Sequence, residues 1–374
     1  PFNKPYITNL EISNIKKIFN RKNTNYGYQG KFSKLCDNEI KKITKCKSVL
    51  LTSSCTGALD IVTKIIDLKK GDEVIIPSFN FVSAVDTFSS TGAKIVFCDI
   101  DNNFILDIND LQKKITNRTK AIVLVHYNGN SVDFDKLKIL IGKKNIFVIE
   151  DAAAAFGSKY KNKYLGTIGD FGTYSFHESK NLHCGTGGAL IINNEKYLKK
   201  SKLIWNRGTN REDFEKKKVN KYQWVQEGKS SHLSEMQAAF LFSQLKCFKK
   251  NLIKKKEIFL QYYNQLKNYS DHFDLPKFNI YNDTNFHTFF LVLKTIRKRK
   301  LFLEFMNKNK IQAVIHYEPL HASRIGKKIY KKNDLKKTFS MAKRIARLPN
   351  FYQINNKDIN YVIKNVINFL KIEK

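Results

Sequence analysis

The sequence predicts an α/β fold, a mostly parallel central sheet sandwiched by helices, with a smaller C-terminal α+β domain after it. Three observations lead there. Short apolar runs alternate with amphipathic stretches of helical length through the first two thirds of the chain, the pattern of strands buried on both faces. Near residue 245 the character changes to a long lysine-rich helical pattern followed by shorter mixed elements. At 374 residues the chain exceeds the usual size of a single core. These place a large domain over residues 1–248, with an N-terminal arm, and a small domain over 249–374.

In order, "SVLLT" (48–52) reads as a strand and "TGALDIVTKIIDL" as the helix after it; "DEVIIPS" (72–78) is followed by "FVSAVDTFSSTG", and "AKIVFCDI" (93–100) by "INDLQKKI". "AIVLVH" (121–126), the helix in "DFDKLKILI", "IFVIEDA" (146–152), "TYSF" (173–176) and "GGALIIN" complete the sheet. "MQAAFLFSQLKCFKKNLIKKKEIFLQYYNQL" reads as one long helix or two leading out of the large domain. Beyond it, "FHTFFLVL" and "IQAVIHY" are expected as strands, "TFSMAKRIARL" and "DINYVIKNVINFLK" as helices, and "RKRK" (297–300) as a strand cap or helix opening at the surface. Ligands of such folds sit at the carboxyl ends of strands.

Composition bounds the function. The net charge of +34 suggests a nucleic-acid partner, yet only nine of the 67 basic residues are Arg, the residue suited to bidentate phosphate and base contacts, and the lysines are spread over the whole chain. A solvated lysine surface is therefore expected, with no nucleic-acid partner. Six cysteines without CxxC spacing argue against a disulfide framework or a metal site. No long apolar run or basic-then-apolar leader occurs, so no membrane association and a cytoplasmic location are expected.

Four short motifs carry the chemistry. "TSSCTGALD" (52–60) sets small hydroxylated residues and Gly57 between a strand and a helix, where free N–H groups and the helix dipole favour an anion; an ordinary N-cap is the plainer alternative. "VIEDAA" (148–153) ends an apolar strand on two acids, of which Asp151 is placed to meet a cation, or to cap a helix. "PSFNF" (77–81) sets an aromatic after a strand end, for stacking or for core packing. Ser175 and Lys180 follow "TYSF", with "GTGGAL" behind them. An anion cradle, a buried acid, a flat ring and a lysine are together what pyridoxal 5'-phosphate (PLP) requires.

The chain resembles the DegT/StrS nucleotide-sugar aminotransferases, of the fold type I PLP enzymes, nearly from end to end. "LLTSSCTGALD", "GDEVIIPSFNFVSA", "GAKIVFCDI", "VHYNG", "VIEDAAAAFGSKYKNKYLGTIG", "SFHESKN", "RGTNREDF", "MQAAFLFSQL" and "HYEPLH" carry the likeness. It implies that Lys180 is the catalytic lysine that holds the cofactor covalently. Asp151 would face the pyridine nitrogen, Phe81 would stack on the ring, and Ser175 with Cys55, Thr56 and Gly57 would hold the phosphate. Tyr26 in "NYGYQG" (25–30), Arg211 in "RGTNR", and His316, Tyr317 and His321 in "HYEPLH" would approach the substrates.

The same resemblance implies a homodimer with shared active sites. Its reaction would transfer an amino group from L-glutamate to a keto-sugar nucleotide, TDP-4-keto-6-deoxyglucose, for a lipopolysaccharide or O-antigen sugar. Amination at C3, or a non-catalytic regulatory or binding protein on the same fold, are the alternatives. A sister branch that dehydrates sugars has histidine for the lysine, so Lys180 favours transamination. Three positions depart from the pattern. Ala154 stands where Gln or His usually approaches the ring oxygen, Thr186 interrupts the glycine motif, and Leu233 replaces an Asn offered by the neighbouring subunit, with Ser230 or Ser231 as substitutes.

Overall fold

The computed structural model describes residues 1–19, 26–279 and 281–372; Asn25, the first residue of the "NYGYQG" arm, lies outside them. Two helices come first, α1 (Leu10–Phe19) and α2 (Lys31–Thr44). Strands β1 (Val49–Thr52), β2 (Glu73–Pro77), β3 (Lys94–Cys98), β4 (Thr119–Val125) and β5 (Phe147–Asp151) then alternate with α3 (Cys55–Ile65), α4 (Val82–Ser89), α5 (Ile108–Lys114) and α6 (Phe134–Ile141). Two short strands, β6 (Lys159–Tyr160) and β7 (Lys163–Tyr164), form a small ribbon before β8 (Phe171–Ser175) and β9 (Gly188–Ile192).

The central sheet has seven strands in the order β1-β9-β8-β5-β4-β2-β3. From β3 to β8 neighbours run parallel, and β9 runs antiparallel to both β8 and β1. Alternation along each strand splits the side chains between two cores. Leu50, Ile76 and Val123 meet α3, α4 and α7 (Leu198–Trp205), while Leu51, Ile75 and Ile122 meet α2, α6 and α9 (Glu235–Lys246). Both faces are therefore covered, which is why the strands read as continuous apolar runs instead of alternating ones.

The long helical stretch is two helices, α9 and α10 (Phe248–Leu266), parted at Cys247, with α8 (Arg211–Glu215) before them. α9 starts on a capping box in which Ser234 and Gln237 satisfy each other's backbone groups. A third apolar core lies wholly beyond residue 257. It joins α10, α11 (Ile296–Lys308) and α14 (Asn356–Ile372) to a sheet of β10 (Phe273–Asp274), β12 (Phe289–Leu293) and β13 (Ile345–Leu348). β11 (Asn282–Asp283) pairs with β6, and α12 (Gly326–Ile329) and α13 (Lys336–Ala342) fill the remaining segment. "RKRK" forms the first turn of α11.

Two expectations fail here. "IQAVIHY" is no strand: it touches β13 only through a bridge from Val314 to Arg347. "TFSMAKRIARL" is no single helix, because α13 ends at Ala342 and Ile345–Leu348 become β13, paired antiparallel with Phe289–Val292. Pairing across more than fifty residues overrides local helix preference. No helix among the described residues is long and apolar enough to cross a membrane, and the six cysteines are unpaired.

Candidate active site

The motifs meet at the carboxyl ends of β2, β5 and β8. After β1, Ser54 takes an extended conformation as the N-cap of α3, and its Oγ accepts the Gly57 N–H at 3.0 Å. The N–H groups of Cys55 and Thr56 then have no partner among the described residues, which makes the helix start an anion cradle. Beside it, the Thr56 hydroxyl meets that of Ser83 in the first turn of α4 at 2.8 Å. Gly188 is what lets β9 pass beneath this cradle, since a Cβ there would lie 2.5 Å from the Cys55 nitrogen. Ser231 closes one side: its carbonyl accepts the Ser53 N–H at 2.8 Å and its side chain packs on Gly57.

The two acids at the end of β5 point to opposite faces of the sheet. Glu150, fully buried, accepts backbone N–H groups from Gly166, Ile168 and Gly169 at 2.6–2.7 Å and pairs with His126 at 2.8 Å. It is committed to structure. Asp151 is 6% exposed, and its Oδ1 accepts the Ala153 N–H at 3.2 Å with the Cys55 sulfur 3.8 Å away. Burial pushes the Asp151 carboxyl up, opposed by the Ala153 amide, Lys180, His126 and Cys55. The Cys55 thiol turns inward to Thr173 at 3.2 Å, so only its backbone faces the cradle.

Lys180 follows β8 in a turn whose N–H returns to the His177 carbonyl at 2.9 Å. Asn181 clamps that turn: it donates to the Asn285 carbonyl at 2.9 Å, meets His287 Nδ1 at 3.1 Å, and its own carbonyl accepts from Asn251 at 2.9 Å. Lys180 lines a small cavity with Ser175, Ala154, His287 and Asn285. Desolvation lowers the Lys180 amine below the ordinary lysine value; Asp151 and Cys55 oppose this, and Arg347 adds to it. A lysine so placed reaches its neutral, nucleophilic form more readily.

Aromatic side chains gather beyond the end of β2. Phe81 stands at the N-cap of α4, 57% exposed, its ring centre 6.3 Å from that of Tyr317. Tyr317, in the left-handed region at φ 31°, lies against His316 at 3.8 Å between ring centres. Its phenol is raised to about 12 by burial. Desolvation holds His316 well below the usual histidine range, and its Nδ1 shares a hydrogen bond of 2.6 Å with the Tyr127 hydroxyl.

The remaining candidates lie elsewhere in the chain. His321 anchors its loop to the end of β2: its Nδ1 meets the Ser78 hydroxyl at 2.7 Å, which also accepts the His321 N–H at 3.0 Å. Arg211 pairs with Glu215 at 2.7 Å and donates to the Tyr28 hydroxyl at 2.9 Å; Tyr28 stacks on His232, and Trp205 meets both edge-on. Tyr26 is half exposed against Phe19, with its carbonyl near the start of α9. Leu233 is buried in the core, and Thr186 accepts from Gln237. Sequence reasoning missed Asn181, His287 and Arg347; the first two stand in or near quoted motifs, but only long-range contacts reveal what they hold.

The residues present fit PLP. The unpartnered N–H groups of Cys55 and Thr56, with Ser175, suit its phosphate, Asp151 suits its ring nitrogen, and Lys180 offers a desolvated amine. Among known proteins, the chain is 26% identical to the GDP-perosamine synthase of Escherichia coli O157:H7 over 99% of this chain and 98% of that one. It is 30% identical to the dTDP-3-amino-3,6-dideoxy-alpha-D-galactopyranose transaminase of Aneurinibacillus thermoaerophilus over 75% of each. The PLP-form of the putative sugar aminotransferase Spr1654 from Streptococcus pneumoniae has the same fold, with a TM-score of 0.90 at 22% identity over 99% of this chain and 98% of that one. The model of the DegT/DnrJ/EryC1/StrS aminotransferase family matches residues 6–367, and the chain belongs to that family of PLP-dependent sugar aminotransferases.

Proposed function

We propose that the protein transfers an amino group from L-glutamate to a keto-sugar nucleotide, TDP-4-keto-6-deoxyglucose, to give a TDP-4-amino-4,6-dideoxyhexose and 2-oxoglutarate. The observation that carries this reading is the juxtaposition of a desolvated Lys180 amine with the buried Asp151 carboxyl beside a helix start that offers free N–H groups. PLP, when bound, supplies the electron-withdrawing ring that delocalises the charge left when a substrate Cα–H loses its proton. The chain's own residues do the rest. The α3 start and Ser175 bind the phosphate, Phe81 covers one face of the ring, and the Asp151 carboxylate keeps the ring nitrogen protonated. The Lys180 amine would hold the cofactor and would be the base that moves the substrate proton.

The assembly we propose is a cytoplasmic homodimer with shared active sites. Tyr26 and Arg211, apart from Lys180 in their own chain, would serve the partner's site; the exposed rings of Tyr26 and Trp224 support a covered surface there. The boundary between the domains is placed at residue 248, beside the break between α9 and α10. Amination at C3 is the second reading, favoured by the 30% identity to a 3-amino transaminase. The test is incubation with L-glutamate and a panel of 3-keto and 4-keto sugar nucleotides, with products identified by mass and NMR. A 4-amino TDP sugar is expected. A 3-amino product would select the second reading, and no amino sugar from any acceptor would refute both.

A further inference from the structure

His287 stands just before β12, in a loop that reaches back to the Lys180 turn. Its Nδ1 meets the Asn181 side-chain oxygen at 3.1 Å, and the Asn181 side-chain nitrogen is already spent on the Asn285 carbonyl at 2.9 Å. The ring must therefore donate through Nδ1, which leaves Nε2 without a proton while the ring is neutral. Burial, with Lys180, Lys255 and Arg347 as the nearby cations, holds His287 well below the usual histidine range, so it is uncharged at neutral pH. The backbone fixes the ring's place. The His287 carbonyl accepts from the buried Lys255 amine at 3.1 Å, and the N–H of Thr288 donates to the Asn128 side-chain oxygen at 2.8 Å. Nε2 bonds to nothing among the described residues, yet it is not sealed in the core like the orphaned Nδ1 atoms of His126 and His183.

We propose that His287 is the positioning residue for the Lys180 amine, which donates to its bare Nε2 when the lysine is free of the cofactor. The inference rests on the aminotransferase reading above and deepens it. His287, Asn181 and Lys180 line one small cavity with Ser175 and Ala154, and no hydrogen-bond acceptor meets the Lys180 amine among the described residues. An amine with donors to spare and an imidazole with a spare acceptor thus share one space. An uncharged acceptor suits a base: one N–H given to Nε2 fixes the amine's direction, whereas a carboxylate in that place would hold the ammonium form. The plainer role is scaffolding, in which His287 only holds Asn181. Two substitutions separate the roles. Asn can set its amide nitrogen where Nδ1 stands, which keeps the bond to Asn181 and removes Nε2. Gln can set its amide oxygen where Nε2 stands, and gives up the bond to Asn181.

The first readout is the pH dependence of acetic anhydride labelling of Lys180 in cofactor-free protein, mapped by mass. Besides His287, the groups acting on that amine are Asp151, Cys55 and Arg347, and none of them is altered. A hydrogen bond to Nε2 favours the ammonium over the amine, so His287→Asn is expected to lower the labelling midpoint by about one pH unit. His287→Gln should leave it near the wild-type value. The second readout is the half-reaction with L-glutamate at equal PLP occupancy, expected to slow about 10- to 100-fold in the Asn variant and less than about 5-fold in the Gln variant. Wild-type behaviour of His287→Asn, or equal impairment of both variants, would overturn the proposal in favour of the scaffold. Should the Asn variant not fold, the Gln variant and a long-range proton–nitrogen spectrum of histidine-labelled wild type decide. A proton on His287 Nδ1 with a near-normal Gln variant would support the proposal; a proton on Nε2, or an impaired Gln variant, would overturn it. Failure of the parent reading looks different: no amino acid would change the cofactor's absorption, while the labelling shift in cofactor-free protein would stand.

Discussion

Replacing Asp151 by Asn changes one atom type at a position 6% exposed, so the shape is kept and the charge is lost. The Ala153 N–H at 3.2 Å still finds an acceptor. What disappears is the carboxylate that, in the proposed function, would hold the proton on the cofactor's ring nitrogen. Removing a buried charge partner costs roughly 3 kcal/mol or more, which at 1.36 kcal/mol per decade is on the order of 100-fold in rate. Stopped-flow measurement of the half-reaction with L-glutamate, at equal PLP occupancy, is the assay. The cofactor-free protein should respond in the opposite direction. Because burial raises the folded carboxyl above its unfolded value, Asp151 stabilises least at neutral pH and stops penalising the fold only below pH about 4. Cofactor-free Asp151→Asn should therefore melt higher than wild type at pH 7 and match it near pH 3. A near-normal half-reaction would show that another group protonates the ring and refute the assignment.

Three further outcomes follow from the packing. The cavity shared by Ala154 and Lys180 has about 20 Å³, room for one water and not for the four heavy atoms Gln adds, so Ala154→Gln should cost about 1–3 kcal/mol in urea unfolding while Ala154→Ser costs little. Glu150→Ala strands His126 and three backbone N–H groups, and should lower stability by about 3–5 kcal/mol; a loss under 1 kcal/mol would contradict the pairing. Burial pushes Lys255 down to about 7, so its charging penalises the fold fully below pH 7 and fades as pH climbs toward 10. Wild-type melting temperature should rise with pH across that window, and Lys255→Met should flatten the rise.

The central sheet was legible because its strands are buried on both faces, so β2, β4 and β5 stand out as apolar runs. The start of α3 was legible in "TSSCTGALD" as an anion cradle or an ordinary N-cap, whereas the capping box of Ser234 and Gln237 that opens α9 was not foreseen. Partners far along the chain decided the rest. "IARL" carries apolar residues that suit helix or strand alike, and only Phe289–Val292 makes it β13. "IQAVIHY" has the composition of a strand, yet it is held by the Val314 bridge and turned at Tyr317 by a positive φ. Lys180 and Asp151 were readable from the strand ends that carry them. His321 meets the Ser78 hydroxyl at the end of β2, a contact that its motif alone does not reveal.

The amine that holds the cofactor can be located directly. Reducing the PLP-loaded protein with borohydride fixes the cofactor to whichever amine holds it, and mass mapping of the peptides then reads the position among 58 lysines. The added mass is expected on Lys180 alone, and none in Lys180→Ala. Modification of another lysine, or an unmodified Lys180 in protein that retains PLP, would contradict it.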